Sequence, residues 1–215
     1  MAAAHHAVGA APLVLLLHGI WNGRAWLGPL AWRLRRDRFR VATFGYSTVF
    51  GGAEAALPRL LRRIERLAAH GPAALVGHSL GGLIALDALR QALQAPVTRV
   101  VCLGMPLAGS AVAQALLRRG LGAALGRSAG LLQRGLGRWD GPAEVGMVAG
   151  SVAFGLGNRI AALGPQSDGT VALAETRLPG LRDHCMVRAS HGGLLFSPLA
   201  ARQAAAFLRH GRFAG

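Results

Sequence analysis

The stretch AALVGHSLGGLIAL, Ala73 to Leu86, sets a glycine-flanked serine, Gly77-His78-Ser79-Leu80-Gly81-Gly82, between a short apolar run and an apolar helix-like segment. A chain with 31 glycines meets G-x-S-x-G cheaply by chance, so the bare motif says little. Its setting says more. Ala73 to Val76 reads as a buried strand and Leu83 to Leu93 as a helix, which puts Ser79 at a strand-to-helix turn. Glycines on both sides let strand and helix approach without a Cβ clash, and a strained backbone at the serine lifts its hydroxyl off the strand end. Beyond the carboxyl end of a parallel strand, beside a helix N-terminus, a nucleophile finds an open crevice and donors for negative charge.

Outward from this turn the pattern alternates. Leu13 to Leu17 is a continuous apolar run, Trp26, Leu27, Leu30, Ala31 and Leu34 recur at helical spacing, and Arg38 to Phe44 reads as a second strand. Leu57, Leu60, Leu61, Ile64 and Leu67 mark one face of a helix whose other face carries Arg59, Arg62, Arg63 and Arg66. Val97 to Leu103 is a fourth strand, Val145 to Ala149 and His184 to Val187 two more, and Ala200 to Leu208 a closing helix. Short connections between such elements predict an α/β fold with a parallel sheet and helices on both faces. One domain over 13–215 is expected after an Ala-rich lead-in, 1–12. Between Leu107 and Pro142 the pattern loosens into glycines, arginines and paired leucines, which predicts a mobile cap. Leu116, Leu117, Leu121, Leu125, Leu131, Leu132 and Leu136 are its candidate apolar cover, and its five arginines against Asp140 favour peripheral contact with an anionic membrane.

Composition narrows the classes. With 52% hydrophobic and 15% charged residues and a mean hydropathy of +0.37, the chain is no disordered polyanion or polycation. Its longest apolar runs, Val8 to Leu17 and Val145 to Gly157, fall short of the roughly 20 residues of a membrane-spanning helix. Nothing basic precedes Leu13 to Leu17, so a secretory signal is not expected and a cytoplasmic location is. The net charge of +15 comes from arginine alone, spread from Arg24 to Arg212. Only 6% of residues are aromatic, so base-stacking platforms are scarce and a solvated basic face is expected, with no nucleic-acid partner. Cys102 and Cys185 form no metal-ligand spacing and read as two buried free thiols.

A serine hydroxyl needs a base, and the base needs an acid to hold its tautomer. His5 and His6 lie in the lead-in, His70 and His210 end helices, and His18 and His78 are locked inside motifs. His184 starts a strand, whereas His191 follows it in a loop at the sheet edge of Ser79, so His191 is the candidate base. Of nine carboxylates, Asp168 in Ser167-Asp168-Gly169-Thr170 lies on a turn past the fifth strand and is the candidate acid, with Asp183 and Glu175 in reserve. His18-Gly19-Ile20-Trp21 ends the first strand. An oxyanion needs two preorganised N–H donors, and the backbone amides of Ile20 and Leu80 suit those places.

With these pieces assembled, the chain resembles the α/β-hydrolase family, and within it small bacterial lipases and esterases. The matching stretches are Val14 to Trp21, Val76 to Gly82, Gly104 to Ser110 (GMPLAGS), Val145 to Ser151, Ser167 to Val171 and His191, within 13–208. The resemblance implies the α/β-hydrolase fold in a minimal form of about six mostly parallel strands, without the family's first two and with a helical cap insertion. It also implies cleavage of a small-molecule or lipid carboxylic ester through an acyl-serine, with no cofactor. Gly193 stands two residues after His191, where larger calcium-binding lipases carry aspartate, so no metal is expected. A thioesterase or acyltransferase on the same residues is the alternative, and a non-catalytic lipid- or RNA-binding scaffold a more distant one.

Overall fold

The computed structural model describes residues 13–215 apart from His70 and Pro72, so the 1–12 lead-in lies outside the described residues. Six strands form one sheet in the order β2-β1-β3-β4-β5-β6: β1 (Leu13–Leu17), β2 (Arg40–Phe44), β3 (Ala73–His78), β4 (Val97–Leu103), β5 (Glu144–Gly150) and β6 (Asp183–Val187). All five pairings are parallel. Among the described residues seven α-helices accompany them: α1 (Gly28–Arg36), α2 (Gly52–Ala68), α3 (Leu80–Gln91), α4 (Ala111–Arg118), α5 (Ala129–Arg134), α6 (Leu156–Ala161) and α7 (Pro198–His210).

Alternate residues of each strand feed different cores, because successive side chains point to opposite faces. Leu15, Leu17, Leu75, Val100, Cys102, Val145 and Met147 pack with Leu57, Leu60 and Ile64 of α2 and Leu83, Ile84 and Leu86 of α3. Val14, Leu16, Val76, Val101, Leu103 and Val148 pack on the other face with Leu30 and Leu34 of α1 and Ala200, Ala204 and Phe207 of α7. β1 is therefore apolar at every position and β3 from Ala73 to Val76, which is why they read as continuous runs rather than as alternation.

Helix ends follow local chemistry. Ser110 Oγ accepts from Ala113 N at 3.2 Å to open α4, and Ser197 Oγ accepts from Ala200 N at 3.2 Å to open α7 ahead of Pro198. The second strand begins at Arg40, two residues later than its apolar pattern suggests. Arg38 has φ +60° and finishes the turn after α1, and Phe39 N bonds back to Leu34 O. The third helix begins at Leu80 rather than Leu83, directly on the serine turn.

The 107–142 segment differs from the expected apolar cover. Leu116, Leu125, Leu131, Leu132 and Leu136 are buried in the α2–α3 face core, Leu117 is half-buried, and Leu121 alone of the seven is exposed. These side chains complete a core that α2 and α3 leave open at that end, so five of them present no surface to a ligand. Cys102 is buried as expected, whereas Cys185 is only half-buried, and both are free.

Phe207 ties α7 to the sheet. Its ring occupies the space over Gly146, where a Cβ would come within 2.5 Å of it, and it packs against Phe213 at 5.0 Å between ring centroids. Phe207→Ala is expected to cost about 3–5 kcal/mol in urea unfolding with an unchanged denaturant slope.

Candidate active site

Ser79 stands between β3 and α3 with φ +52° and ψ −125°, a backbone that an L side chain adopts only when its surroundings enforce it. The enforcement is steric. A Cβ on Gly77 would lie 2.3 Å from Gly82 Cα, and one on Gly81 would lie 2.5 Å from His18 O. Strand, helix and the end of β1 thus meet main chain to main chain. Ser79 N donates to Leu103 O at 2.9 Å, which fastens the turn to β4.

Asp168 and His191 meet at the same end of the sheet. His191 Nδ1 lies 2.8 Å from Asp168 Oδ2. The other carboxylate oxygen, Oδ1, accepts from Thr170 N at 2.9 Å and Val171 N at 2.7 Å, so the buried charge has three donors. Gly104, at φ +54°, makes room for the pair: a Cβ there would fall 2.9 Å from Asp168 Oδ2 and 3.2 Å from His191 Nδ1. With Nδ1–H directed to the carboxylate, Nε2 of His191 is left as the basic nitrogen.

The reserve acids are occupied elsewhere. Glu175 accepts from Ala111 N at 2.6 Å and Ala172 N at 2.8 Å, latching α4 to the loop after β5, and burial raises its carboxyl above the usual range. Asp183 accepts from Phe213 N at 2.7 Å and pins the chain after α7.

The turn after β1 presses against the serine, since a Cβ on Gly19 would lie 3.1 Å from Ser79 Cβ. Ile20 follows at once, and Leu80, as the first residue of α3, has no intrahelical partner for its amide. Behind the turn, Tyr46 Oη donates to His18 O at 2.6 Å and its ring stacks on His18 at 4.5 Å. Burial holds the His18 imidazole below its ordinary pKa and the Tyr46 phenol above its own. Among the described residues no group of three or more His, Cys, Asp or Glu side chains is arranged to hold a metal ion.

The sequence pattern of the alpha/beta hydrolase family matches residues 14–214. The chain belongs to that family. Among solved structures, the mature lipase BlEst2 of Bacillus licheniformis gives a TM-score of 0.70 over 93% of this chain and 91% of that one, at 20% identity. A metagenomic carboxyl esterase gives 0.59 over 85% and 65%, at 19% identity, and lipase B of Aspergillus fumigatus 0.60 over 93% and 53%, at 14%. At these identities the likeness is one of fold. No curated protein matches the sequence.

Besides Tyr46, the sequence left the part played by His78 unread. His78 is buried, its ring 4.7 Å from that of His191, and its Nε2 lies 3.0 Å from His191 O. That contact puts the proton on Nε2, where it donates, and leaves Nδ1 unpartnered against Gly19. The main chain of His191 is then held from two sides, because its own N–H donates to Asp168 O at 2.8 Å. The histidine beside the serine in the motif was the available signal, but only the fold reveals what it meets.

Burial, reinforced by the nearby His191, pushes the His78 pKa down to about 3. Unfolded, His78 takes up a proton below about pH 6.5, whereas folded it stays neutral until about pH 3. Its contribution to stability is therefore complete above pH 6.5 and is lost as pH falls toward 3, at up to about 1.4 kcal/mol per pH unit for one proton. His18 and His184, also lowered, act in the same direction. His78→Gln should flatten the pH dependence of urea-unfolding free energy between pH 6.5 and 4 by close to one proton. Identical slopes in the two proteins would remove this account of His78.

Proposed function

We propose that this α/β hydrolase is a serine esterase that cleaves carboxylic esters through an acyl-enzyme at Ser79. The reading rests above all on Asp168 Oδ2 at 2.8 Å from His191 Nδ1, on the sheet edge where the strained Ser79 turn emerges. Ser79 Oγ attacks the ester carbonyl while His191 Nε2 takes its proton, and Asp168 steadies the imidazolium. The Ile20 and Leu80 amides receive the oxyanion, and no side chain has to move to make them donors. His191 then hands its proton to the departing alcohol. Water, deprotonated by His191, attacks the acyl-serine, and the acid leaves with Ser79 regenerated.

The surroundings favour an apolar acyl chain. Trp21, which follows Ile20, is 57% exposed, and Phe154 and Leu156 are 78% and 74% exposed. The last two flank Gly155, which packs against Gly169 beside Asp168, and exposed Phe196 lies just past His191. Apolar groups at the mouth of a polar site suit a medium or long acyl ester, and at a lipid surface the same groups suit peripheral contact with the membrane. Trp21 Nε1 also donates to Ala124 O at 2.8 Å, and we read the 107–142 insertion as a cap anchored to the oxyanion turn through it.

Ser79→Ala and His191→Ala should each lower kcat on a nitrophenyl ester by about 10⁴-fold or more with the fold intact by circular dichroism, and the double variant should be little worse. Asp168→Asn should cost about 10⁴-fold in kcat with KM nearly unchanged. More than about a per cent of wild-type turnover left in Ser79→Ala would overturn the assignment. A chain-length series of the esters should rise toward longer acyl groups, and a fluorophosphonate should label wild type but not Ser79→Ala.

A further inference from the structure

At the outer edge of the sheet, away from the Asp168–His191 pair, five arginines converge on one cleft. Arg59, Arg62, Arg63 and Arg66 recur on one face of α2, Arg24 arrives from the loop after β1, and the floor is Thr43, Phe44 and Gly45 at the end of edge strand β2. The cleft encloses about 380 Å³.

Two of the guanidinium groups are set against its floor. Arg59 lies 5.8 Å from the Phe44 ring centroid and donates from Nη2 to Gly45 O at 3.3 Å. Arg24 runs across Gly45, where a Cβ would come within 2.9 Å of Arg24 Cδ, so the absence of a side chain at 45 lets that stem lie flat on the strand end. Arg59 stands three and four residues before Arg62 and Arg63, and these stand four and three before Arg66, a like-charge arrangement that opposes helix formation.

Nothing in the cleft offsets this repulsion. Among the described residues no carboxylate lines it. The Arg–carboxylate pairs among the described residues are Arg99–Glu144, Arg127–Glu54 and Arg182–Glu144, and they use none of the five. A concave wall of one charge sign focuses potential into the space it surrounds, and guanidinium forks match phosphate oxygens two at a time. The volume is that of a small-ligand site, and Phe44, its one aromatic among the described residues, is buried under Arg59 and offers no free face for a base to stack on.

We propose that this cleft between β2 and α2 is a binding site for a phosphate-bearing ligand, a phosphate ester or diphosphate group held by Arg24, Arg59, Arg62, Arg63 and Arg66. The site is separate from the ester-cleaving residues and does not depend on them. The phosphate belongs either to a soluble metabolite or to a lipid headgroup, and the recognition chemistry is the same.

Calorimetric titration of the full chain with inorganic pyrophosphate, at ionic strength held constant with chloride, tests it. Saturable binding of one pyrophosphate per chain is expected, weakened about tenfold or more in Arg62→Gln/Arg66→Gln. Arg202→Gln/Arg212→Gln removes the same charge from exposed positions on and after α7 and should bind as wild type does. Turnover of a neutral nitrophenyl ester should be the same in all three proteins. Should the cleft double variant fail to fold, Arg24→Gln on its loop is expected to show the same loss. Co-sedimentation with phosphatidylglycerol vesicles but not phosphatidylcholine vesicles, reversed by pyrophosphate, assigns the phosphate to a headgroup. Pyrophosphate binding without co-sedimentation assigns it to a soluble ester. Equal weakening by both double variants, or binding no tighter than that of chloride, would reduce the cleft to a solvated basic face and overturn the proposal.

Discussion

The contact on which the site depends is one between backbones. At Gly77 and Gly82 strand β3 and helix α3 approach so closely that a single methyl group at Gly77 would sit 2.3 Å from Gly82 Cα, and at Gly81 the helix touches the end of β1. No rotamer change relieves such a clash, since neither partner is a side chain. The approach bends the chain hard enough to drive Ser79 to φ +52°, and it brings the Gly19–Ile20 turn against the serine. A conformation of that kind costs on the order of 1–3 kcal/mol and persists only where the surroundings over-determine it. Here the surroundings are β1, β3 and β4, whose apolar residues are almost wholly buried on both faces.

The same economy of side chains recurs around the acid. Gly104 opens the space between β4 and the Asp168–His191 pair, and Gly150 lets β5 pass beneath Asp168, where a Cβ would come within 2.8 Å of the aspartate's own. A buried carboxylate is costly unless its oxygens are satisfied. Two main-chain donors on Oδ1 and the imidazole on Oδ2 meet that requirement, and they also leave the carboxylate a single orientation. His191 is restrained in turn by its own backbone, between Asp168 O and His78 Nε2. Ring and carboxylate are therefore positioned by the strand ends rather than by each other alone.

Much of this was legible in the chain. Continuous apolar runs mark strands covered on both faces, and the Ser79 turn is visible because glycine is the one residue that such an approach accepts. The choice among Asp168, Asp183 and Glu175 had to rest on turn position, and the structure brings Asp168 to His191 while the other two hold main-chain amides. The second strand starts two residues late because Arg38, at positive φ, still belongs to the turn, and the third helix starts three residues early because Gly81-Gly82 separate Leu80 from the apolar run that marks it. The leucines of 107–142 misled for a different reason. Paired leucines separated by glycines look like a loosely attached surface, yet the periodicity cannot say that the α2–α3 core is unfinished at that end and takes them in. His78 was visible only as the motif residue before Ser79 and Tyr46 carries no pattern at all, and their partners are main-chain atoms from distant loops.

The distribution of charge follows from the same division between main chain and side chain. Asp168, Glu175 and Asp183 are spent on backbone donors or on His191, and Glu144 and Glu54 on the three ion pairs with arginine. With nine acidic residues in all, few carboxylates remain to neutralise 24 arginines. Solvent and salt screen most of that excess over a Debye length of about 8 Å. Arg24, Arg59, Arg62 and Arg66 at the β2–α2 edge are themselves exposed, and what sets them apart is that with Arg63 they line one concave surface, which concentrates their potential. An anion held in that cleft, as proposed above, would offset a repulsion that none of the three Arg–carboxylate pairs relieves.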